Sequence, residues 1–164
     1  MNEIKLIPVE DKYLSQILDI YNYYVENSIA TYACDKVELN EIRKMVYYDD
    51  KRFGAFVILD GEDVVGYCIL GQFNKKKGYS GTGEITIYLK DGCTGRGIGK
   101  IAVEFLENKA LERHFHVLLA HVTVTNEPSV KLFDKLGYQK IGPLKEVGNK
   151  FGQVLSDYYF HKML

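Results

Sequence analysis

A glycine-rich segment, Thr94-Gly95-Arg96-Gly97-Ile98-Gly99-Lys100, lies between a predicted strand and a predicted helix. Residues 84–89, just before it, alternate polar and apolar side chains, as expected of a strand with one buried face. After it, apolar residues recur at helical spacing from Ile98 to Leu106. Backbone N–H groups at the start of a helix attract anions. We therefore interpret the segment as a phosphate-binding loop, with a tight strand-to-helix turn as the alternative.

Two common nucleotide-binding motifs do not fit this segment. A P-loop requires a glycine five residues before Gly-Lys-Ser/Thr, but Thr94 occupies that position and Ile101 follows Lys100. A dinucleotide-binding fingerprint that begins at Gly95 would need its third glycine where Lys100 stands. The loop is therefore suited to a pyrophosphate on a different scaffold, with Arg96 and Lys100 supplying positive charge.

Composition limits the classes of protein to which the chain can belong. With 164 residues, 46% of them hydrophobic, we expect one domain that spans residues 1–164. The 21 basic and 22 acidic residues nearly cancel, so no general attraction to nucleic acid or to an anionic membrane is expected. Three widely spaced cysteines (Cys34, Cys68 and Cys93) and the lack of a secretory or membrane-spanning segment favour a cytoplasmic protein.

The order of the predicted elements indicates a mixed α/β sheet with helices on both faces. Asp11 is predicted to cap the first helix, which carries Leu14, Ile17, Leu18 and Tyr21 at helical spacing. A further helix is predicted from Asn126 to Gly137. The remaining predicted elements are strands at 4–8, 53–59, 64–73, 84–89, 117–124, 138–146 and 154–162, a helix at 39–48, and the helix that follows the glycine loop.

Three histidines, His114, His116 and His121, lie close together in the sequence. In a strand, His116 and His121 point to opposite faces, and no cysteine or acidic pair nearby completes a tetrahedral set of ligands. We therefore expect histidines at the surface or at a strand end, and no metal site.

Two motifs resemble those of the GNAT superfamily of N-acetyltransferases. The superfamily loop Gln/Arg-x-x-Gly-x-Gly/Ala corresponds to residues 94–99, and its later motif Asn-x-x-Ala/Ser-x-x-x-Tyr-x-x-x-Gly-Phe corresponds to residues 126–138. Residues 20–25, 82–84 and 126–130 are most similar to the phosphinothricin acetyltransferase group. The resemblance covers nearly the whole chain. It implies the acyl-CoA N-acyltransferase fold, with a central, mostly antiparallel sheet that splays, and it implies acetyl-CoA as co-substrate, a small amine as acceptor and a homodimer.

The same resemblance implies a set of residues that bind acetyl-CoA. Backbone groups of the strand residues Ile87, Tyr88 and Leu89 would pair with the pantetheine chain, and an amide near Leu89 would hold the oxyanion. Asn126 and Ser129 would contact the cofactor, and Phe133 stands where many relatives place a tyrosine that protonates the departing thiolate. The pyrophosphate would be bound by the loop residues Thr94, Gly95, Arg96, Gly97, Ile98, Gly99 and Lys100.

The acceptor side depends on residues from several segments. An alkylammonium must lose a proton before it attacks, and Glu84 matches the general base of the family, with a solvated glutamate at a strand end as the alternative. Lys76 lies where relatives carry an arginine that holds the carboxylate of the substrate, although a solvated basic loop is an equal alternative. The expected substrate-binding residues are Phe73, Lys76, Tyr79 and Tyr32.

The leading hypothesis is an N-acetyltransferase that moves an acetyl group from acetyl-CoA to a small primary amine, an amino acid or a phosphinothricin-like analogue, by direct attack with Glu84 as general base. Thr94 replaces the usual Gln or Arg of the loop, and Phe133 cannot donate a proton. These two departures leave a non-catalytic acyl-CoA-binding module open as an alternative. Acetylation of proteins or peptides is a third hypothesis.

Overall fold

The computed structural model describes residues 3–164. This range contains seven strands and four α-helices. The strands are β1 (Ile4–Pro8), β2 (Gly54–Asp60), β3 (Asp63–Gln72), β4 (Thr82–Leu89), β5 (Val117–Thr123), β6 (Gln139–Lys150) and β7 (Gln153–Met163). The helices are α1 (Leu14–Asn27), α2 (Leu39–Val46), α3 (Ile98–Glu112) and α4 (Glu127–Lys135).

All seven strands belong to one sheet, in the order β1-β2-β3-β4-β5-β7-β6. Every neighbouring pair is antiparallel except β4 and β5, which run parallel. The chain has to cross over between these two strands, and α3 makes the connection. The mixed sheet that we predicted is therefore confirmed, and its one parallel junction lies at the centre.

Each face of the sheet is covered by two helices. On one face, α1 and α2 bury Leu14, Ile17 and Ile42 against the apolar side chains of β2 and β3. On the other face, α3 and α4 bury residues such as Leu106 and Phe133 against β3, β5 and β7. Helices thus lie on both faces, as predicted, and each face has its own hydrophobic core.

The predicted cap of the first helix is wrong. Asp11 begins a short 3-10 turn, and α1 starts after Tyr13 without a side-chain cap. The carboxylate of Asp11 instead accepts hydrogen bonds from Arg43, at 2.9 and 3.0 Å, and from Tyr47, at 2.6 Å. Asp11 therefore ties α2 to the chain before α1, because partners 32 and 36 residues away compete successfully with the local backbone. Within residues 3–164, no helix is long and apolar enough to cross a lipid bilayer.

Candidate active site

A gap opens in the sheet between β4 and β5. The two strands pair only from Thr82 to Glu84, opposite Val117 to Leu119. Beyond that point β4 continues to pair with β3, and β5 continues to pair with β7. The edge of β4 from Ile85 to Leu89 therefore has no strand beside it within the described part of the chain. This is the splayed sheet that the family resemblance implied.

The alternation of the backbone shows which groups of β4 face the gap. Gly81 accepts bonds from the β5 side, at 2.8 and 3.1 Å, whereas the N–H of Lys90 bonds to Val65 of β3 at 2.8 Å. Successive residues of a strand direct their N–H and C=O groups to opposite neighbours. The groups of Ile87 and Leu89 consequently face the gap, and those of Tyr88 face β3. Of the three strand residues expected to pair with pantetheine, the backbone of Tyr88 is thus already used by the sheet.

One group already occupies part of this edge. The hydroxyl of Tyr24, on α1, donates to the carbonyl oxygen of Leu89 at 2.7 Å. The N–H of Leu89 lies on the same edge of β4 and is left as a donor toward the gap. An amide in this position can hold a developing oxyanion.

The glycine-rich loop follows β4 and leads directly into α3. Gly95 and Gly97 have positive φ angles of 74° and 78°, and Gly97 is the last residue before the helix. No side chain caps α3, and its first turn carries no acidic residue. The first N–H groups of the helix thus point out of its end without a side-chain acceptor. This geometry suits an anion.

The two charged side chains of the loop are placed differently. The guanidinium of Arg96 pairs with Asp60 at the end of β2, so its charge is partly compensated. Lys100 is exposed, with its ammonium 3.7 Å from Glu104 one helical turn on. Thr94 is exposed at the tip of the loop. Of the two predicted cations, Lys100 is the more available to a ligand.

The residues expected from the later motif lie at the start of α4 and on its buried face. The side chain of Asn126 caps α4 by accepting a bond from the N–H of Ser129 at 3.4 Å. Phe133 is only 6% exposed and packs against Tyr138 and Phe160 in the core. Phe133 is therefore part of the core rather than of an open binding surface, whereas contacts of Asn126 and Ser129 with a cofactor stay predictions.

Glu84 lies on the opposite face of the sheet from Phe133, at the point where the gap begins. Burial raises the pKa of its carboxyl group, and the nearby His121 partly offsets this effect. A carboxylate with a raised pKa is a better proton acceptor from an ammonium. Its placement on the face of Thr86 and Tyr88 agrees with the predicted alternation.

A cavity of about 310 Å³ adjoins Glu84. α1 and α2 form its outer wall, and β3 and β4 form its floor. Three of its lining residues are tyrosines, and its one lysine is Lys44 of α2. The lining residues are Tyr21, Lys44, Met45, Tyr48, Ile69, Gly71, Gln72, Glu84, Thr86 and Tyr88.

The expected substrate-binding residues do not line this cavity. Phe73 and Tyr79 pack edge to face, 5.6 Å apart, on the segment between β3 and β4. Lys76 is exposed on the same segment. The one lysine that lines the cavity is Lys44, which sequence reasoning missed because an exposed lysine on a short amphipathic helix carries no local signal.

Across the gap from Glu84, β5 and β7 carry a network of polar side chains. Nε2 of His121 lies 2.8 Å from Oδ2 of Asp157, and the imidazole stacks on Tyr159. The hydroxyl of Tyr32 donates to the other oxygen of Asp157, and burial together with this bond raises the pKa of Tyr32 to about 12. His121 is exposed, as expected of a surface histidine, but its bond to Asp157 also makes it part of a network to which Tyr32 belongs.

A buried lysine holds the segment that carries Tyr32. Lys150 is 2% exposed, and its ammonium donates to the carbonyl oxygens of Tyr24, Ser28 and Thr31 at 3.2, 2.6 and 2.8 Å. Burial lowers the pKa of Lys150. The three carbonyl groups match the three hydrogens of the ammonium, so the end of β6 fixes the end of α1 and the loop after it.

Comparisons with known proteins agree with this geometry. Residues 4–161 match the family model described as an acetyltransferase (GNAT) domain. An L-methionine sulfoximine/L-methionine sulfone acetyltransferase from Pseudomonas aeruginosa is 31% identical, over 87% of this chain and 84% of the relative.

Two solved structures are similar over almost the whole chain. A ribosomal-protein-alanine N-acetyltransferase from Brucella melitensis is 30% identical with a TM-score of 0.90, over 98% of this chain and 99% of the other. A phosphinothricin acetyltransferase from Sinorhizobium meliloti, in complex with acetyl-CoA, is 26% identical with a TM-score of 0.93, over 98% and 88%.

Proposed function

Since the chain belongs to the GNAT family and is an acetyl-CoA-dependent N-acetyltransferase, we propose that its acceptor is the α-amino group of a small amino acid or amino-acid analogue. The observation that carries the proposal is the pair of charges on one cavity, Glu84 from β4 and Lys44 from α2. An α-amino acid presents an ammonium and a carboxylate close together, so it complements both charges. The similarity to enzymes named for methionine sulfoximine and phosphinothricin supports the same class of acceptor.

Glu84 acts as the general base in this proposal. An amino group with a pKa well above 7 is almost wholly protonated at neutral pH and cannot attack. The raised pKa of the Glu84 carboxyl group brings it nearer to the pKa of the group that it deprotonates, which increases the efficiency of proton transfer. The nitrogen lone pair then attacks the thioester carbonyl, and the amide of Leu89 holds the oxyanion.

The gap and the glycine loop bind the donor. The backbone groups of Ile87 pair with the pantetheine chain as a further strand would, and the N–H of Leu89 is kept for the thioester oxygen. The amides from Thr94 to Gly99, with the charge of Lys100, hold the pyrophosphate at the start of α3. Because Phe133 has no proton to give, the thiolate leaves without a tyrosine as general acid. A thiol with a pKa of about 8.5 is a tolerable leaving group.

Three further features belong to the proposal. The chain forms a single acetyltransferase domain, which one continuous sheet from β1 to β7 supports. It acts in the cytoplasm, which its free and partly exposed cysteines favour. It forms a homodimer through the outer strands, because β6 and β7 leave Ile141, Val147 and Val154 exposed. Light scattering on the purified chain tests the last of these.

Release of CoA with a panel of acceptors tests the function. We expect turnover with methionine sulfoximine, methionine sulfone, phosphinothricin or free amino acids, and little turnover with the corresponding carboxamides, which lack the negative charge. Glu84→Gln should lower kcat at pH 7 by about 100-fold and leave the affinity for acetyl-CoA within twofold. Turnover of peptides but not of amino acids would identify a protein acetyltransferase. Binding of acetyl-CoA without turnover of any amine would identify a non-catalytic module.

A further inference from the structure

We propose that His121 is a second proton acceptor of this enzyme, which takes over the proton that Glu84 removes from the acceptor, and that Asp157 is its positioning residue. The inference rests on the proposed role of Glu84. Neither His121 nor Asp157 belongs to the motifs that connect the chain to its family.

The register of the sheet puts His121 beside Glu84. Glu84 is opposite Leu119 in the last residue pair before β4 and β5 part, and His121 is two residues further along β5. Residues two apart on a strand share a face. His121 therefore lies on the same face as Glu84, at the other lip of the gap. Its influence on the pKa of Glu84 agrees with this proximity.

The surroundings fix the ring and its tautomer. Asp157 is 1% exposed, and its carboxylate accepts bonds from both His121 and Tyr32. Because a carboxylate accepts and does not donate, Nε2 of His121 carries the hydrogen and Nδ1 carries the lone pair. Tyr159 stacks on the imidazole with ring centroids 4.8 Å apart. Groups from the loop after α1 and from β7 therefore hold one nitrogen, and the other remains a base.

The reaction needs more than one proton acceptor. An ammonium loses two protons when it becomes an amide: one before the nitrogen attacks, and one from the tetrahedral intermediate. The C–S bond breaks with its electron pair on sulfur, and the thiolate can take up one of these protons. A single carboxylate holds one proton at a time. If the thiolate takes the second proton, Glu84 must still pass on the first before it can act in the next turnover.

His121 provides the path for that proton. It moves from the acceptor ammonium to Glu84, and from Glu84 to Nδ1 of His121. The carboxylate of Asp157 stabilises the imidazolium that forms. The side chain of His121 is 40% exposed, so the proton then leaves to solvent. Glu84 is restored as a carboxylate.

Steady-state kinetics with chemical rescue tests the proposal. His121→Ala should lower kcat by about tenfold while KM for both substrates stays within twofold, because a proton acceptor acts on turnover and not on binding. Added imidazole should restore several-fold activity to His121→Ala and none to Glu84→Gln. Asp157→Asn should lower kcat by less than His121→Ala. The matched control is His116→Gln, an exposed histidine just before β5, which should keep kcat within twofold.

His121→Gln separates chemistry from structure, because its amide can still donate to Asp157 but cannot take up a proton. We expect it to be as slow as His121→Ala. Activity of wild-type level in either variant overturns the proposal, as does a loss in His121→Ala that glutamine repairs and imidazole does not. An active Glu84→Gln contradicts the proposed general base, whereas an inactive Glu84→Gln with fully active His121 variants contradicts only the relay.

Discussion

The proposed donor side and the proposed acceptor side of this enzyme are built in different ways. The donor side consists of main-chain groups from one continuous stretch, from the open edge of β4 through the glycine loop to the start of α3. The acceptor side consists of side chains from α1, α2, β4, β5 and β7. A main-chain site tolerates changes in side chains, whereas a site made of side chains depends on contacts between distant segments.

This difference explains why the two departures from the family motifs are compatible with activity. Thr94 lacks the long polar side chain of its counterparts, but its amide is unchanged. Phe133 lacks a hydroxyl, but its ring completes the core beneath α4. Neither substitution removes a main-chain donor from the gap or the loop. The enzymatic interpretation of the chain is therefore stronger than the binding-module alternative.

The largest effect is expected when the acceptor side loses its buried lysine. Lys150→Met leaves three carbonyl oxygens without their donor, which should lower the free energy of unfolding by about 3 kcal/mol and Tm by about 10 °C. KM for the acceptor should rise more than the Kd for acetyl-CoA, because Lys150 holds the end of α1 and the loop that carries Tyr32. Thermal melts and kinetics measure both effects.

Lys145→Met is the matched control, since Lys145 lies on the same strand and is exposed. It should change Tm by less than 2 °C, as is usual for a surface substitution. If Lys150→Met weakened acetyl-CoA binding as much as acceptor binding, the two sides would not be separable.

A substitution in the glycine loop should weaken the binding of acetyl-CoA more than the binding of the acceptor, the reverse of Lys150→Met. Gly97→Val places a β-branched residue at a φ of 78°, which costs about 1–2 kcal/mol and shifts the first amides of α3. The Kd for acetyl-CoA should rise by about tenfold, while KM for the acceptor stays within twofold. Gly78→Val is the control, because Gly78 lies in open space outside the loop and does not have a positive φ. Equal effects of the two variants would argue against an anion site at the start of α3.

Replacing each of the two candidate cations in turn tests which one binds the carboxylate of the acceptor. Lys44→Met should raise KM for a carboxylate-bearing acceptor by about tenfold, because a charge-assisted hydrogen bond is worth about 1.5 kcal/mol. Lys76→Met should raise it by less than twofold. The carboxamide of the same acceptor should not distinguish Lys44→Met from the wild type. A larger effect of Lys76→Met would locate the carboxylate clamp on the loop after β3, as the sequence suggested.

The smallest effect concerns stability and pH. Burial raises the pKa of Glu84 in the folded state, so the folded chain binds more protons than the unfolded chain between the two pKa values. The stability that protonated Glu84 contributes is full below its unfolded pKa and is lost as the pH rises through its folded pKa. The Tm of Glu84→Gln minus the Tm of the wild type should therefore be larger at pH 7.5 than at pH 4.5. A difference in Tm between the two proteins that stays constant over this pH range would contradict a raised pKa of the half-buried Glu84.

Local sequence patterns predict the elements of this fold well, because those elements depend on local periodicity. The alternation of residues 84–89 predicts β4, and the strands predicted at 53–59 and 64–73 correspond to β2 and β3, which pair as a hairpin. The glycine loop and Asn126 predict the starts of α3 and α4. Each of these signals lies within a few residues of the structure that it specifies.

The features that sequence patterns do not predict depend on distant partners. His121 meets Asp157 across two neighbouring strands, 36 residues apart in the chain. Lys150 reaches carbonyl groups 119 to 126 residues away, and a lysine in a strand ordinarily indicates an exposed position. Asp11 resembles a helix cap until Arg43 is brought beside it. Such partners can be identified only once the order of the strands and the packing of the helices are known.

The short junction of β4 and β5 has a mechanical consequence. In the described residues, the three residue pairs between Thr82 and Leu119 are the only ladder that joins β1–β4 to β5–β7. The two parts of the sheet are thus joined by one short ladder, and the open edge of β4 beyond it is the proposed donor site. A pantetheine chain that bonds to this edge would add hydrogen bonds next to the short ladder. We therefore expect the junction of β4 and β5 to be more rigid with acetyl-CoA bound than after CoA has left.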